Sequence, residues 1–331
     1  VLQPVVRGQY VAVPMGHRNI QTTLNVYGHL IERVEAAAQE MSIVVVTGTS
    51  SGIGLATAVT LARSGHTVFA GMRNLDRGDE LRTTASKESL SIKIVLLDVD
   101  SDSSVEDAFR QILKEAGQID VLVNNAGVSG TGPVEMAPMS AFRQAMETNF
   151  FGAVRCIKAV VPSMRKRQSG CIVNITSVAG QFGMASLGPY ASTKWALEGL
   201  SESLAQELRP FNIRVAMVEP GVVATPMTTK PRPVIPSDHP YYSSIGRMLA
   251  YFDASLEDPT SPIEVAETVH EIVDGRSLSL RNLSGRDGAK MLKWRKSKTD
   301  EQWLDLAVAS DAEWIADVKR TTGVEAKLSV G

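Results

Sequence analysis

Tyr190 and Lys194 stand four residues apart in Tyr190-Ala191-Ser192-Thr193-Lys194, an offset that stacks a phenol and an ammonium on one face of a helix. Such a pair can move a proton. A free tyrosine titrates near pH ~10, too high for exchange at neutral pH, and an adjacent cation favours phenolate and lowers that value. The same spacing also suits an ordinary helix surface, so the elements around the pair must decide between the two readings.

Ile43-Val44-Val45-Val46-Thr47 is a short β-branched apolar run of the kind a buried parallel strand uses. It feeds into Gly48-Thr49-Ser50-Ser51-Gly52-Ile53-Gly54 and then a helical pattern from Leu55 to Arg63. Gly48, Gly52 and Gly54, with Ser50, Ser51 and Ile53 among them, allow backbone N–H groups to approach a pyrophosphate that the following helix N-terminus also stabilises. The spacing departs from G-x-G-x-x-G, and the flanking strand and helix carry the dinucleotide reading. Asn124-Asn125-Ala126-Gly127 follows the strand Val121-Leu122-Val123, and Ser177 closes Ile172-Val173-Asn174-Ile175. Both lie at strand carboxyl ends, where an open doubly wound sheet has its ligand crevice.

With these residues in this order, the chain resembles the short-chain dehydrogenase/reductase family. The motifs are Thr47 to Gly54, Asn124 to Gly127, Ser177, Tyr190 with Lys194, and Pro220-Gly221, and they span roughly residues 41–283. Gly170 to Leu208, with a tail beyond the last strand, is similar to the hydroxysteroid and retinol dehydrogenase-like branch. The resemblance implies hydride transfer between nicotinamide C4 and a carbonyl or alcohol carbon. It makes Tyr190 the general acid/base and Lys194 the residue that lowers its pKa and holds the nicotinamide ribose. Ser177 then orients the substrate oxygen, and Asn149 kinks a helix and anchors a water relay. Asn125, Ala126 and Gly127 join the cofactor site, Asp98 and Val99 meet the adenine, and Pro220, Gly221, Val223 and Thr225 lie along the carboxamide. The alternatives are a capping serine at 177 and a helix-break amide at 149; Asn124 reads as a sheet-stabilising amide.

Cofactor choice is read at the end of the second strand, where Val68 to Asn74 supplies Arg73 in place of an acidic residue for the ribose hydroxyl. That favours NADP over NAD, because a charge-assisted bond contributes roughly 1.5–3 kcal/mol; if Arg73 is solvated, NAD serves comparably. Strands are expected near 43–47, 67–72, 93–97, 121–124, 171–175, 213–218 and 278–283, and helices over 53–63, 76–86, 104–116, 140–167, 189–208 and 263–274. The fold class is therefore α/β, a Rossmann-like doubly wound parallel sheet of about seven strands with helices on both faces. Ser103-x-x-Glu106, Ser261-Pro262-x-Glu264, Thr299-x-x-Gln302 and Ser310-x-x-Glu313 read as capping boxes.

The 331 residues divide into an N-terminal extension (1–40), a catalytic domain (41–285) with a substrate lid at about 222–260, and a helical tail (286–331). The lid carries Pro226, Pro231, Pro233 and Pro236, then Tyr241, Tyr242, Met248, Leu249, Tyr251 and Phe252. It suits a hydrophobic ketone, aldehyde or alcohol, or alternatively packs onto the core or a partner. In the tail, Trp303 and Trp314 read as packing anchors. The cations Arg286, Lys290, Lys293, Arg295, Lys296 and Lys298 around Trp294 form a solvated connector or a surface for an anionic membrane. Met15 to Leu30 resembles the carboxyl-terminal end of a tyrosine recombinase, but forty residues leave no room for a DNA-clamping domain. An amphipathic extension with a helix near Thr22 to Gln39 is the alternative.

A net charge of −2 provides no global attraction to nucleic acid or membrane. Two cysteines, Cys156 and Cys171, argue against a disulfide framework and for a reducing cytoplasm. His17, His29, His66, His239 and His270 show no metal-ligand spacing, so no metal is expected. No segment reads as a signal peptide or membrane span. A homodimer or homotetramer through the helices at 140–167 and 189–208 is implied by the resemblance. Three functions remain open: an NADP(H)-dependent oxidoreductase, a non-catalytic dinucleotide sensor or scaffold, and DNA processing through residues 1–40.

Overall fold

A computed structural model of the chain describes residues 2–6, 9–12, 41–229 and 236–328. Seven strands form one parallel sheet: β1 (Ile43–Thr47), β2 (Thr67–Met72), β3 (Ile92–Leu96), β4 (Val121–Asn124), β5 (Gly170–Ile175), β6 (Ile213–Pro220) and β7 (Arg281–Ser284). Their spatial order is β3-β2-β1-β4-β5-β6-β7. The chain starts in mid-sheet, winds outward to β3, then crosses back to β4, whose Val121 and Val123 pair with Val44 and Val46 of β1. The order reverses between β1 and β4, and the connections leaving their carboxyl ends diverge there and open a crevice.

Eleven α-helices form among the described residues: α1 (Gly52–Arg63), α2 (Asp79–Glu88), α3 (Asp102–Ala116), α4 (Met139–Met146), α5 (Gly152–Arg167), α6 (Gly188–Leu208), α7 (Tyr242–Ser255), α8 (Pro262–Val273), α9 (Gly288–Lys296), α10 (Asp300–Asp305) and α11 (Asp311–Thr322). Alternate residues of the central strands serve opposite layers. Val44 and Val46 pack with Leu61 of α1 and Val265 and Val269 of α8, while Val45 packs with Phe109 and Ile112 of α3 and Val160 of α5. Burial on both faces explains why these strands read as unbroken apolar runs.

Several boundaries differ from expectation. The helix expected over 140–167 is interrupted by a π-helical turn at Glu147–Phe151. Helix α3 is capped by Ser101, which accepts from Ser104 N at 3.2 Å, and not by a Ser103–Glu106 box. The Ser104 hydroxyl is engaged by Asp98 N (2.9 Å), which ties the preceding loop to the helix start. Strand β7 begins at Arg281 and not at 278, because Asn282 folds its amide back onto Ser279 O (2.9 Å) while also reaching Met217 O (3.1 Å). The boxes at Ser261, Thr299 and Ser310 form as expected.

A separate apolar layer joins α7 to the tail. Tyr251 stacks on Trp294 at 5.8 Å, and Trp303 and Trp314 meet the same indole edge-on at 4.8 and 6.4 Å. Trp294 Nε1 donates to Asp317 Oδ2 at 2.7 Å, so its one polar atom is satisfied in the layer. Arg247 of α7 clamps the two parts, donating to Leu306 O, Ala309 O and Asp311. Three of the six cations clustered around Trp294 are paired: Lys298 with Asp317, Arg286 with Asp258, and Arg295 with Asp300.

Leu2–Val6 and Gln9–Ala12 pair as two antiparallel strands. The recombinase-like stretch Met15 to Leu30 and the helix expected near Thr22 to Gln39 lie outside the described residues. Among the described residues, no helix is long and apolar enough to cross a membrane.

Candidate active site

Thr47 closes β1 and holds the neighbouring loop. Its Oγ1 accepts from Asn125 N (3.0 Å) and Ala126 N (2.9 Å), and Asn125 Nδ2 donates back to Thr47 O (2.9 Å). This lacing draws the glycine turn and the Asn125-Ala126-Gly127 loop together. Gly48 has φ +71°, and a Cβ there would lie 2.7 Å from Ala126 Cα; a Cβ on Gly54 would meet Gly48 O at 2.3 Å. Only glycine fits at either position. Helix α1 begins with no side-chain cap on its first N–H groups, which leaves them and the Ser51 hydroxyl available to an anion.

A cavity of about 600 Å³ lies along these loops. It is lined by the expected Gly48, Ser50, Ser51, Gly52, Ile53, Gly54, Arg73, Asp98, Val99, Asn125, Ala126 and Gly127, and by Ser177, Tyr190, Lys194, Pro220, Gly221, Val223 and Thr225. Asn149 is the sequence-predicted residue that does not line it. It is 2% exposed in the π turn; its Oδ1 accepts from Val128 N (2.8 Å), and its Nδ2 donates to Val128 O (3.0 Å) and Thr193 Oγ1 (3.0 Å). The helix-break amide and the kink are both present, and Asn149 reaches the cavity only through the Val128 backbone and Thr193. Arg77 and Ser129 line the cavity but did not stand out in the sequence, since neither belongs to a motif.

The chemical end is built by three elements. Ser177, at the end of β5, accepts from Ala179 N (3.2 Å), so it does cap the short turn after the strand; its hydroxyl also donates to Pro220 O (3.3 Å) and reaches the Tyr190 phenol. Tyr190 and Lys194 project from the first turns of α6, with Lys194 Nζ 5.6 Å from the phenol ring centre and donating to Ile175 O (2.8 Å). Enclosure by protein pushes the Tyr190 phenol up to about 12, opposed only in part by Ser177. In the free protein, burial outweighs whatever lowering the Lys194 ammonium contributes. Burial also brings Lys194 down to about 8, with Glu198 acting against it. Near pH 7 the site holds a neutral phenol beside an ammonium.

The lid's aromatic content serves packing more than the cavity. Tyr251 is fully buried in one cluster with Trp294 and Trp314 of the tail, and Met248 is 5% exposed. Tyr241 instead donates to Glu135 Oε2 at 2.5 Å, which joins the lid to the loop after β4. Asp287, capping α9, accepts from Val222 N (2.9 Å) beside Gly221, so the tail does touch the cavity wall. Asn124 Nδ2 donates to Asn174 Oδ1 (2.9 Å), and Asn174 donates to Ser201 Oγ (2.8 Å), a buried amide ladder holding β4, β5 and α6 together.

The histidines need one correction. His66, His270 and Asp274 converge at the end of the sheet away from the cavity, with Nε2 of His66 3.2 Å and of His270 2.9 Å from the Asp274 carboxylate. Ser42 N and the Arg276 guanidinium point at the two Nδ1 atoms (3.3 and 3.1 Å). The Ser42 donor leaves the hydrogen of the His66 ring on Nε2, facing the carboxylate, so His66 and Asp274 form a hydrogen-bonded pair, while His270 Nε2 lies near the same carboxylate without a well-formed hydrogen bond.

A family model described as short chain dehydrogenase matches residues 42–234. The uncharacterized oxidoreductase YusZ of Bacillus subtilis is 40% identical over 239 residues, covering 70% of this chain and 84% of that protein. Retinol dehydrogenase 8 of Bos taurus is 46% identical over 186 residues, covering 55% of this chain and 59% of that protein, which is under two thirds of its length. A solved short-chain dehydrogenase from Streptomyces avermitilis superposes with a TM-score of 0.70 at 32% identity, covering 85% of this chain and 98% of that one. Sequence and architecture agree: the chain belongs to the short-chain dehydrogenase family of oxidoreductases.

Proposed function

We propose that this protein interconverts a carbonyl group, ketone or aldehyde, and an alcohol by hydride transfer with NADP(H), acting on a hydrophobic substrate. The observation that carries the reading is the meeting of Ser177, Tyr190 and Lys194 at one end of the same cavity that the glycine turn lines at the other. The residues fit a dinucleotide, since a Cβ at Gly48 or Gly54 would close the cradle and the α1 N–H groups have no side-chain cap. When bound, the dinucleotide supplies or accepts the hydride. The Ser177 hydroxyl swings from Pro220 O to the substrate oxygen and stabilises its developing charge. Tyr190, neutral near pH 7, donates its proton to that oxygen, and the Lys194 ammonium stabilises the phenolate left behind. In the oxidation direction the steps reverse.

Arg73 and Arg77 both border the far end of the cavity, where a 2′-phosphate would lie, and this supports NADP over NAD. A hydrophobic substrate is supported by the loop over the start of α6. Its Val134, Met136 and Met139 are 68%, 51% and 61% exposed, and Gly130 O accepts from Tyr190 N (3.1 Å). The bovine relative is named for retinol. A division at residues 40 and 285 places the site wholly in the central part, with the tail as support. Phe151 and Trp195, 45% and 52% exposed at the start of α5 and on α6, support a homo-oligomer through those helices. The buried free thiols Cys156 and Cys171 support a reducing cytoplasm. The test is a turnover screen of ketones, aldehydes and alcohols with NADPH and NADH in parallel. Substrate-dependent oxidation that is faster with NADPH at limiting cofactor is the expected result; dinucleotide binding without turnover across the panel would instead fit a sensor.

A further inference from the structure

Behind Lys194, α6 and the sheet enclose two carboxyl groups that the proton transfer outlined above leaves unused. Glu198 lies one helical turn beyond Lys194, and Glu219 lies on β6 directly before Pro220; they are 4% and 1% exposed. Arg281 of β7 enters between them, its Nε 3.0 Å from Glu198 Oε2 and 3.3 Å from Glu219 Oε1, while its NH2 group sits 2.6 Å from Glu202 Oε1 at the surface. One guanidinium thus faces three carboxyl groups. The other groups around the pair are Lys194 on the Glu198 side, with Tyr190 beyond it, and the uncharged Gln181 side chain beside Glu219.

That arrangement is short of donors. Glu198 Oε1 and both Glu219 oxygens are buried without a well-formed hydrogen bond. Two ionised carboxylates cannot share such a site cheaply, whereas a proton held between them supplies the missing donor and removes their repulsion. Burial and the nearby charge of Glu198 push Glu219 up to about 7, so Glu219 loses its proton near neutrality.

We propose that Glu198 and Glu219 are positioning residues that share one proton behind Lys194 and so set the pH range over which Lys194 stays an ammonium. The proposal rests on the oxidoreductase reading for its catalytic consequence. As pH rises, the pair releases its proton first, and the added negative charge holds the Lys194 ammonium through the range in which its burial would otherwise discharge it. Tyr190 then keeps its cationic partner.

Two measurements test this, one of them without turnover. Infrared difference spectra of the free protein, titrated from about pH 5 to about pH 9, are expected to show a buried protonated carboxyl group disappearing near neutrality, and to lose that band in Glu219→Gln. Absence of the band in the wild type, or its persistence in Glu219→Gln, overturns the proposal whatever the protein catalyses. Arg281→Met, at a partly exposed side chain, is expected to move the band's midpoint upward, since the pair then holds its proton more tightly; an unmoved midpoint also counts against it. In turnover, the alkaline limb of kcat/KM for carbonyl reduction is expected to move to lower pH by roughly half to one unit in Glu198→Gln, and by less in Glu219→Gln. A merely structural role would lower the whole profile and leave its limbs in place, and that result overturns the proposal. A carboxyl titration in a protein that reduces no carbonyl supports the shared proton and defeats the oxidoreductase reading.

Discussion

In the loop after β1, positions are set by backbone: Gly48 and Gly54 allow main chains to approach, and Thr47 and Asn125 lace two neighbouring turns with hydrogen bonds. In the layer beneath α7, positions are set by bulk, with Tyr251, Trp294, Trp303 and Trp314 contributed by four separate elements. The first arrangement leaves a space for a ligand, whereas the second fills its space with side chains. A site can thus be shaped by what is left out at one end and braced by what is packed at the other. The two meet where Asp287 of the tail holds Val222 N beside the cavity.

The contrast can be broken by substitution. The largest expected effect is on chemistry alone: Tyr190→Phe removes the proton donor, and turnover should fall by about 10²–10⁴-fold while dinucleotide binding, followed by cofactor fluorescence, persists. A variant that loses binding in parallel would show that Tyr190 serves the cradle and not the reaction. Next in size, Trp294→Ala empties the aromatic layer and should cost about 3–5 kcal/mol of stability in denaturant unfolding, with dinucleotide affinity unchanged in the molecules that remain folded. Equal losses of stability and affinity would mean that the two regions are one cooperative unit. Smaller again, Arg73→Ala should weaken NADPH by about one to two decades, the effect of one charge-assisted bond, and leave NADH nearly untouched. Equal weakening of both cofactors would remove the argument for a 2′-phosphate at Arg73.

The same contrast separates what could be read from the sequence from what could not. The glycine turn, Asn125-Ala126-Gly127, Ser177 and the Tyr190–Lys194 offset are local patterns whose chemistry follows from their spacing, and their side chains do line one cavity. The lid left two readings open for a physical reason: an aromatic run looks the same whether it faces a ligand or packs, and Tyr251 packs on Trp294 from forty-three positions away. Ser101 took the helix cap because the helix starts at Asp102, which places Ser103 inside its first turn and turns the Ser104 N–H to the Ser101 hydroxyl. The pairing of Glu198 with Glu219, and of His66 with His270 and Asp274, left no trace in spacing, because the sheet brings each set together from distant segments. The direction of the Tyr190 shift was likewise invisible, since it depends on how far the phenol is enclosed.

The central claim, that Ser177, Tyr190 and Lys194 hold and protonate the oxygen of a carbonyl whose carbon takes a hydride from a dinucleotide in this cavity, is tested most directly by isotope transfer. The protein is incubated with an active carbonyl compound and NADPH carrying deuterium at nicotinamide C4, and the product is analysed by mass spectrometry and NMR. The account predicts deuterium on the new carbinol carbon, formed about 10²–10⁴-fold more slowly when Tyr190→Phe replaces the wild type. Product without deuterium at that carbon, or equal transfer by the variant, would contradict it.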